Sequence, residues 1–312
     1  MRGHYLVLLE ETDNVIRAAL PLFEVNSWLT GKRLVSIPFA TLCDPLISSS
    51  DDFEMLFESA LNLSSKLGVS YIQIKVHDSP SLIQDHRISS TRFYKHHYLP
   101  LKSDPEQLRG GFHRTCVRQR ISRAVKSNLT LKVADSQSHL SEFYRVYLIT
   151  RKRLGLPPQP YVFFRYLWDT FFESNRISLL LAEKDEKAIA GLILLKFKDR
   201  VSAEVIASDP AYRNISPNHY LFWEAIKIAC RQGYKIFDFG RTSHKNHKLM
   251  DFKTRWGTKI IDLVEYYYPG QMCEKLGEPE SSLRYKLVKT ICKSVPAFVS
   301  QHVGRFCYRH LG

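Results

Sequence analysis

Two segments of the sequence follow the same order of secondary-structure elements, and this repetition constrains the fold more than any other feature. In the first segment, residues 4–40 read as three strands with turns at Asp13-Asn14 and Thr30-Gly31. Asp51-Asp52 then open an amphipathic helix that Gly68 ends, and the buried strand "VSYIQIKV" follows. The first segment therefore predicts a β-β-α-β unit.

The second segment repeats this order. "AIAGLILLKF" and "RVSAEVIAS" form a hairpin around Lys198-Asp199, a helix follows over residues 217–232, and the strand "KIFDF" comes next. A short helix over residues 246–256 and the strand "KIIDLVEYYY" complete the pattern. Two such units predict an α/β fold of mixed sheets with flanking helices, duplicated in architecture although the two halves show no obvious sequence identity.

Residues 105–127, between the two segments, predict a helix whose polar side is basic. Its apolar side is formed by Val117, Ile121, Ala124 and Val125. The other faces carry Arg114, Arg118, Arg120, Arg123 and Lys126 without an acidic residue among them. Exposed helix faces usually mix both signs, because opposite charges three or four positions apart attract. The helix is therefore either an anion-binding surface or a solubilising face.

The charge and cysteine content narrow the possible partners and the compartment. A net charge of +14 with clustered basic residues favours a polyanionic partner, such as the phosphates of a nucleotide donor, RNA or an anionic membrane. The six cysteines form no CxxC pair, so neither a zinc site nor a disulfide framework is predicted. No apolar run reaches the roughly 18 residues of a membrane span. We expect a cytoplasmic protein, soluble or peripheral on the inner face of the membrane.

The tail, residues 271–312, predicts a basic amphipathic helix. Its apolar residues Leu283, Leu287, Ile291 and Val295 recur every four positions, and the other faces carry Arg284, Lys286, Lys289 and Lys293. Such a helix either lies on an anionic membrane or packs its apolar stripe against the rest of the protein. Packing against the protein is the favoured interpretation.

A second anion site is indicated where the helix at 217–232 begins. In "YRNISPN", Ser216 is a good N-cap, and Pro217 occupies the first helical position, where its missing amide hydrogen costs nothing. The free amides and the positive end of the helix dipole attract a phosphate-sized anion, and Arg213 is placed to add a contact. A capped helix without a ligand is the alternative.

A dense group of cations follows the strand "KIFDF". The stretch "FDFGRTSHKNHKLMDFKTRWG", residues 237–257, contains Arg241, His244, Lys245, His247, Lys248, Lys253 and Arg255. The pair His247 and Asp251 has metal-ligand spacing, but nothing beyond His244 supplies a further ligand, so no metal site is predicted.

The hairpin, the "YRNISPN" loop, the helix and the strand together resemble the core of the GNAT acyltransferases. In that family an Arg/Gln-x-x-Gly-x-Gly/Ala loop holds the coenzyme A pyrophosphate. Arg213 matches this loop, whereas Ser216 and Asn218 replace the glycines that let a backbone approach a phosphate closely. The resemblance implies that Arg213, Ser216 and Asn218, aided by Arg241, hold the phosphates of the donor.

A closer resemblance spans nearly the whole chain. The segments "GKRLVSIPFATLCDPL", "HRTCVRQRISRAVKSNLTLKV", "TRKRLGLPPQPYVFF", "NHYLFWEAIKIACRQGYKIFDFGRTS" and "MDFKTRWG" are similar to the FemAB-like acyltransferases. These tandem GNAT proteins include peptidoglycan bridge-forming enzymes and an exopolysaccharide-associated group. The resemblance implies a first GNAT-like unit over 1–104, a basic connecting helix over 105–130, a catalytic unit over 131–270 and the tail. Relatives generally begin with additional residues, so the first unit could be incomplete.

The FemAB-like resemblance also implies roles for single residues. The active-site lysine of the family's Phe-Lys motif corresponds to Lys253, which would stabilise the oxyanion formed when an amine attacks an acyl carbonyl. Glu204, in mid-strand, or Asp238, near the end of its strand, would remove the proton of the amine, unless the substrate assists itself and no protein base is needed. Asp238 could instead pair with Arg241 and shape the turn. Substrate contacts are expected from Arg118, Arg151, Arg153 and Phe252.

These observations predict an N-acyltransferase that acts on an amine of a cell-envelope polysaccharide or its lipid-linked precursor, without a tightly bound cofactor. The GNAT topology and the lack of a coiled-coil arm favour acyl-CoA or an acyl carrier as donor. The net charge and the altered glycine loop favour aminoacyl-tRNA, and hence a peptidoglycan bridge-forming enzyme. A non-catalytic RNA- or membrane-binding module is the third hypothesis.

Overall fold

The computed structural model describes residues 1–10, 15–27, 31–276, 283–295 and 297–311. The strands are β1 (Arg2–Leu9), β2 (Ile16–Ser27), β3 (Gly31–Val35), β4 (Ile72–Val76), β5 (Ser89–Pro100), β6 (Thr130–Val133), β7 (Ile177–Lys184), β8 (Lys187–Phe197), β9 (Arg200–Ser208), β10 (Ile236–Ser243) and β11 (Lys259–Tyr268). The helices are α1 (Ser50–Leu67), α2 (Glu106–Arg109), α3 (Gln119–Lys126), α4 (Gln137–Leu154), α5 (Tyr161–Phe171), α6 (Pro217–Arg231), α7 (His247–Thr254), α8 (Met272–Leu276), α9 (Leu283–Ser294) and α10 (Ala297–Leu311).

The chain divides into two compact units. The first comprises Met1–Lys95, Asp262–Tyr285 and Phe306–Gly312, and the second comprises His96–Ile261 and Lys286–Arg305. The boundaries fall within β5, β11, α9 and α10. Both units combine parallel and antiparallel strands with packed helices, so the predicted mixed α/β class is confirmed.

The first unit is a sheet in the order β1-β2-β3-β4-β11, with α1 packed on one face. The Ser49 hydroxyl caps α1 by accepting a hydrogen bond from the Asp52 amide at 3.2 Å, and Gly68 ends it in the left-handed conformation. The apolar stripe of α1 covers Leu22, Leu34 and Ile74 of the sheet. The predicted turn at Asp13-Asn14 and residue Thr30 lie outside the described residues.

The second unit is a sheet in the order β5-β10-β9-β8-β7-β6, covered by helices on both faces. α6 and α3 pack on one face around Leu192, Ala225 and Phe237, whereas α4 and α5 pack on the other. The connection from β9 through α6 to the parallel strand β10 places the start of α6 at the carboxyl end of β9. This geometry brings the candidate site residues into one unit.

Three sequence-based expectations about local structure are wrong. The helix expected over 105–127 is interrupted, because Gly110-Gly111 separates α2 from a π-helical turn (Arg114–Arg118) that leads into α3. In α3, Val125 lies outside the apolar side and is 56% exposed. The third strand ends at Val35 rather than Ala40, since Pro38 lacks an amide donor and disfavours continued strand pairing.

The tail also departs from expectation. Leu287 and Ile291 of α9 are 62% and 40% exposed, whereas Cys292 is buried. A Cβ on Gly155, the left-handed C-cap of α4, would lie 2.6 Å from the Lys289 carbonyl oxygen, so α9 packs closely against this glycine. The predicted packing of the Leu287–Ile291 stripe against the protein is therefore wrong, and the side chain of Leu283 lies outside the described residues. None of the helices in the described ranges is long and apolar enough to span a bilayer.

Candidate active site

The parallel strands β9 and β10 separate along their length. They pair only where Ile236, Phe237 and Asp238 face Arg200, Val201 and Ser202, although β9 continues to Ser208 and β10 to Ser243. Beyond this point the backbone groups on the facing edges have no partner in the other strand, and such groups bind ligands or solvent. Glu204 on β9 and Gly240 on β10 lie just past the separation.

Lys253 in the last turn of α7 reaches this part of β10. Its side chain is 6% exposed, and Nζ donates hydrogen bonds to the carbonyl oxygens of Gly240 at 2.9 Å and Arg241 at 3.0 Å. Burial lowers the pKa of Lys253 to about 7, opposed in part by the charge of Asp238. An ammonium group has three donors, so one remains for an oxyanion.

Asp238 is buried and fully engaged. Its Oδ1 accepts hydrogen bonds from His96 Nε2 at 2.7 Å and the Gly240 amide at 2.6 Å, and its Oδ2 accepts one from Arg200 at 3.1 Å. Burial favours the neutral acid, but the bond and charge of His96, with the Gly240 amide and Arg200, hold the carboxyl pKa below its ordinary value. The expected pairing of Asp238 with Arg241 is replaced by these three contacts.

The bond from the Gly240 amide to Asp238 also orients the ligands of Lys253. Gly240 has a φ of 73°, in the left-handed region where a side chain would be strained. This turn directs the Gly240 and Arg241 carbonyls towards Nζ. Asp238 thus fixes the position of the Lys253 ammonium without contacting it.

Sequence reasoning missed His96 and His97, which extend the site from β5. Nε2 of His97 lies 3.2 Å from Met250 Sδ, and Nδ1 of the same ring lies 3.3 Å from the Thr258 hydroxyl oxygen. Burial, with the charge of Lys253, lowers the pKa of His97 to about 4, so this ring is neutral at pH 7. The dipeptide His96-His97 in the strand "RFYKHHYLP" was the available signal, but nothing in the sequence connected it to Asp238.

Glu204 combines exposure with a desolvated carboxyl. Its side chain is solvent-accessible, yet the surrounding protein, followed by the negative charge of Asp238, raises its pKa. Asp238 on β10 lies opposite Ser202 in the backbone pairing of the two strands, and Ser202 is two residues before Glu204 on β9. Glu204 therefore lies beside the strand separation.

The start of α6 differs from the predicted N-cap. Ser216 has a φ of 60° and ψ of 47°, and its side chain makes no capping bond, because the left-handed backbone turns the hydroxyl away from the helix amides. The Ser216 side chain is instead buried. Neither Ser216 Oγ nor Asn218 Oδ1 has a hydrogen-bond partner in the described part of the chain. Two buried polar atoms without partners at a helix N-terminus indicate a place for a polar ligand.

The basic helix lies beside this N-terminus. α3 packs against α6, and Arg123 lies 3.5 Å from the Asn214 carbonyl in the loop that precedes Ser216. Burial and the nearby charge of Arg120 lower the pKa of His219, in the first turn of α6, to about 4. Arg118 Nε is buried and has no hydrogen-bond partner among the described residues. With the exposed Arg213, these arginines surround the start of α6 with positive charge.

Phe252 links the lysine to this cationic surface. Its ring contacts His219 of α6 at 5.3 Å and Phe222 at 5.6 Å between centroids, so the residue next to Lys253 packs on the first turns of α6. The structure therefore places Lys253, Asp238, Glu204, Arg213, Ser216, Asn218 and Arg118 in neighbouring parts of one unit.

Three other predicted residues lie apart from this cluster or contact it differently. Arg151 donates two hydrogen bonds to the Pro157 carbonyl, at 3.1 and 2.7 Å, and lies over the Tyr147 ring, which fixes the proline-rich loop. Arg153 is exposed near the end of α4. The side chain of Arg241 is exposed, and its carbonyl oxygen accepts from Lys253.

The described residues also contain one group of potential metal ligands, Asp44, His77 and Asp78 in the first unit. Asp44 Oδ1 already accepts hydrogen bonds from the amides of His77 at 2.7 Å and Asp78 at 2.8 Å. These bonds join the segment after β4 to the loop between β3 and α1, which accounts for the proximity of the three side chains without an ion.

The comparisons with known proteins agree with this geometry. Residues 111–254 match the acetyltransferase (GNAT) domain family. A stretch of 64 residues is 36% identical to lipid II:glycine glycyltransferase from Staphylococcus haemolyticus (strain JCSC1435) and spans 19% of this chain but only 15% of that enzyme.

Two solved structures share the fold. FemX is similar over 88% of this chain and 90% of its own, with a TM-score of 0.66 at 14% identity. A tandem GNAT protein from the clavulanic acid biosynthesis pathway is similar over 86% of this chain and 84% of its own, with a TM-score of 0.54 at 12% identity. The predicted relationship to GNAT and FemAB-like transferases is confirmed. Residues 111–254 thus match the acetyltransferase (GNAT) domain family, in a chain with the fold of FemX and of a tandem GNAT protein.

Proposed function

We propose that the protein is a Fem-type transferase that moves an aminoacyl group from aminoacyl-tRNA onto an amine of a lipid-linked peptidoglycan precursor. The observation that carries this proposal is the position of Lys253, whose buried ammonium adjoins both the strand separation and, through Phe252, the cationic start of α6. When the amine attacks the aminoacyl ester, the ester carbonyl oxygen becomes an oxyanion, which the remaining Lys253 donor would bind. The amide bond forms as the ester bond breaks and the terminal ribose hydroxyl of the tRNA leaves. The similarity to a lipid II glycyltransferase supports the choice of acceptor.

Glu204 is the better candidate for the general base. A base must accept a proton, and the raised pKa of Glu204 and its exposed position past the end of the β9–β10 pairing suit that task. The Asp238 oxygens are all engaged and its pKa is lowered, so this carboxylate suits a positioning role. The donor is a substrate, not a tightly bound cofactor.

The pH dependence follows from these two groups. The base must be deprotonated, so kcat/KM should rise with pH through the raised pKa of Glu204. Lys253 must be protonated, so activity should fall as pH rises above about 7. Measured from about pH 5 to about pH 9, the profile should be bell-shaped.

Two variants assign the limbs of that profile. Glu204→Gln should lower the maximum and abolish the rising limb, whereas Glu173→Gln, an exposed carboxylate of the same unit, should leave the profile unchanged. A rising limb that persists unaltered in Glu204→Gln would exclude Glu204 as the base.

The extent of the cationic surface favours tRNA as donor. The loop and helix start at Arg213–Asn218 suffice for a pyrophosphate, but Arg118, Arg120 and Arg123 extend the positive surface along the neighbouring helix. A nucleic acid offers a series of phosphates to such a surface, and binding to it weakens with salt. Acyl-CoA, with a cell-envelope polysaccharide as acceptor, is the second candidate, favoured by the match to the acetyltransferase family.

Thermal-shift titration separates the two donors. A ligand at 100 times its dissociation constant should stabilise the protein by about 2.7 kcal/mol. We expect stabilisation by aminoacyl-tRNA. The logarithm of its binding constant should fall linearly with the logarithm of salt concentration, and the magnitude of this slope should decrease by about 1 for each phosphate contact removed, as in Arg120→Met or Arg123→Met. Lys132→Met on β6, an exposed cation, should leave the slope unchanged. Stabilisation by acyl-CoA alone would assign the second candidate.

We also propose that α9 contributes to peripheral membrane association. Leu287 and Ile291 are exposed beside Lys286, which is also exposed. An apolar pair flanked by lysines is suited to the surface of an anionic bilayer. A lipid-linked acceptor would be presented at such a surface.

A further inference from the structure

A cavity of about 290 Å³ lies in the second unit, between the sheet face formed by β6 to β9 and the C-terminal half of α6. Its apolar wall is formed by Leu180, Leu194, Val201, Ala225, Ile228 and Ala229. Ile228 is eleven residues after Pro217, about 17 Å along the helix axis. The cavity is therefore distinct from the anion site at the start of α6.

The cavity has an entrance and room for a ligand. Val133, Asn175 and Gln232 are exposed and form its rim, whereas Leu180, Leu194 and Ala229 are at most 3% exposed and form its floor. An apolar cavity of roughly 150 Å³ suffices to bind benzene. The space here is about twice as large, so a small amphiphilic molecule fits.

Among the described residues, Lys196 is the one charged residue that lines the cavity, and Ser178 is the one further polar residue besides Asn175 and Gln232 at the rim. Lys196 follows Leu192 and Leu194 at the alternating positions of β8 that face α6, where a third apolar residue would be expected. Its side chain is 7% exposed. Its Nζ donates one hydrogen bond, to Asn175 Oδ1 at 2.6 Å, and none of the described carboxylates lies within ion-pair distance of it.

The surroundings of Lys196 favour the binding of an anion next to its ammonium group. Burial without a charged partner disfavours the ammonium and lowers the Lys196 pKa. An ammonium has three donors, and Asn175 uses one. A single carboxylate would neutralise the charge and accept the remaining bonds, whereas the described lining has no second charged residue to pair with a second charge.

We propose that this cavity binds a small monocarboxylate with an apolar body, whose carboxylate pairs with Lys196 Nζ and whose apolar body lies against the Leu180, Leu194 and Ala229 wall. Medium-chain fatty acids and aromatic acids belong to this class. The site is independent of the transferase proposal, because it shares no residue with the Lys253 cluster.

Isothermal titration of the full chain with octanoate tests this proposal. We expect saturable binding with one site, and a rise in the unfolding midpoint. Octan-1-ol, which lacks the charge, and acetate, which lacks the apolar body, should bind at least tenfold more weakly. Equal binding of octanoate and octan-1-ol, or no binding of octanoate, would overturn the proposal.

Matched variants locate the binding. Lys196→Met should weaken octanoate binding at least tenfold while raising the midpoint of the free protein, because it removes a buried charge. Lys187→Met, at the exposed start of the same strand, should bind octanoate normally. Ala229→Leu keeps the lysine but fills the cavity, and should also weaken binding while the protein still unfolds cooperatively. Unchanged binding in Ala229→Leu would contradict the cavity as the site.

Discussion

Lys253→Met is expected to lower kcat by about 10²- to 10³-fold. The variant keeps an unbranched apolar chain only one atom shorter than that of lysine but removes the ammonium proposed to stabilise the oxyanion, and removal of one such donor has an effect of this size. Donor affinity should change by only a few fold, since the phosphates are assigned to the start of α6. Steady-state kinetics together with donor titration would measure both quantities.

The stability of Lys253→Met separates a catalytic role from a structural one. The folded-state pKa of Lys253, about 7, lies below its unfolded value near 10.4, so the unfolded chain binds the proton more tightly between these values. The wild-type protein should therefore gain stability as pH rises from about 7 to about 10, and the variant should lack that increase. At pH 7 the Lys253→Met variant should be at least as stable as the wild-type protein, because the substitution removes a desolvated charge.

Lys248→Met is the matched control for the lysine. Lys248 is exposed on the same helix, α7, so its loss should leave kcat and stability unchanged. If Lys253→Met kept full turnover, or if both variants lost activity equally, the assignment of the oxyanion role to Lys253 would be wrong. Loss of activity only in proportion to loss of folded protein would assign it a structural role.

The elements that the sequence predicted well are those with a strong local signal. The α1 stripe ends at Gly68, which adopts the left-handed conformation, and the α6 pattern starts at Pro217, as expected from their chemistry. The basic helix was interrupted by Gly110-Gly111, whose low helix propensity outweighed the apolar spacing around it. The local sequence pattern thus predicted which helices and strands form, but it did not predict every residue at which they begin and end.

The candidate site was less accessible to sequence reasoning because long-range contacts define it. Lys253 came from the resemblance to FemAB-like proteins, but its carbonyl partners depend on the turn at Gly240. The bond of Asp238 to His96, 142 positions away, has no sequence signature. Ser216 was taken as a capping residue by its type, but its left-handed backbone directs the hydroxyl elsewhere.

Asp238→Ala is expected to destabilise the protein by about 3–5 kcal/mol, since it leaves His96, Arg200 and the Gly240 amide without their buried acceptor. Asp251→Ala is the control. Asp251 pairs with Arg255 at 3.5 Å on the surface of α7, where such a pair contributes at most about 1 kcal/mol. Urea unfolding of both variants at pH 7 would measure the difference.

Asp238→Asn separates the positioning role of Asp238 from that of a base. The lowered pKa of Asp238 means that its charge stabilises the fold above the unfolded value near 3.9, and that this contribution is lost as pH falls towards the folded value. In Asp238→Asn, which has no charge at this position, the free energy of unfolding should not show this decrease as the pH falls. Because Lys253 would be held less firmly, kcat should fall, but the rising limb set by Glu204 should remain. If the rising limb disappears in Asp238→Asn and persists in Glu204→Gln, Asp238 is the base and the assignments of the two carboxylates are reversed.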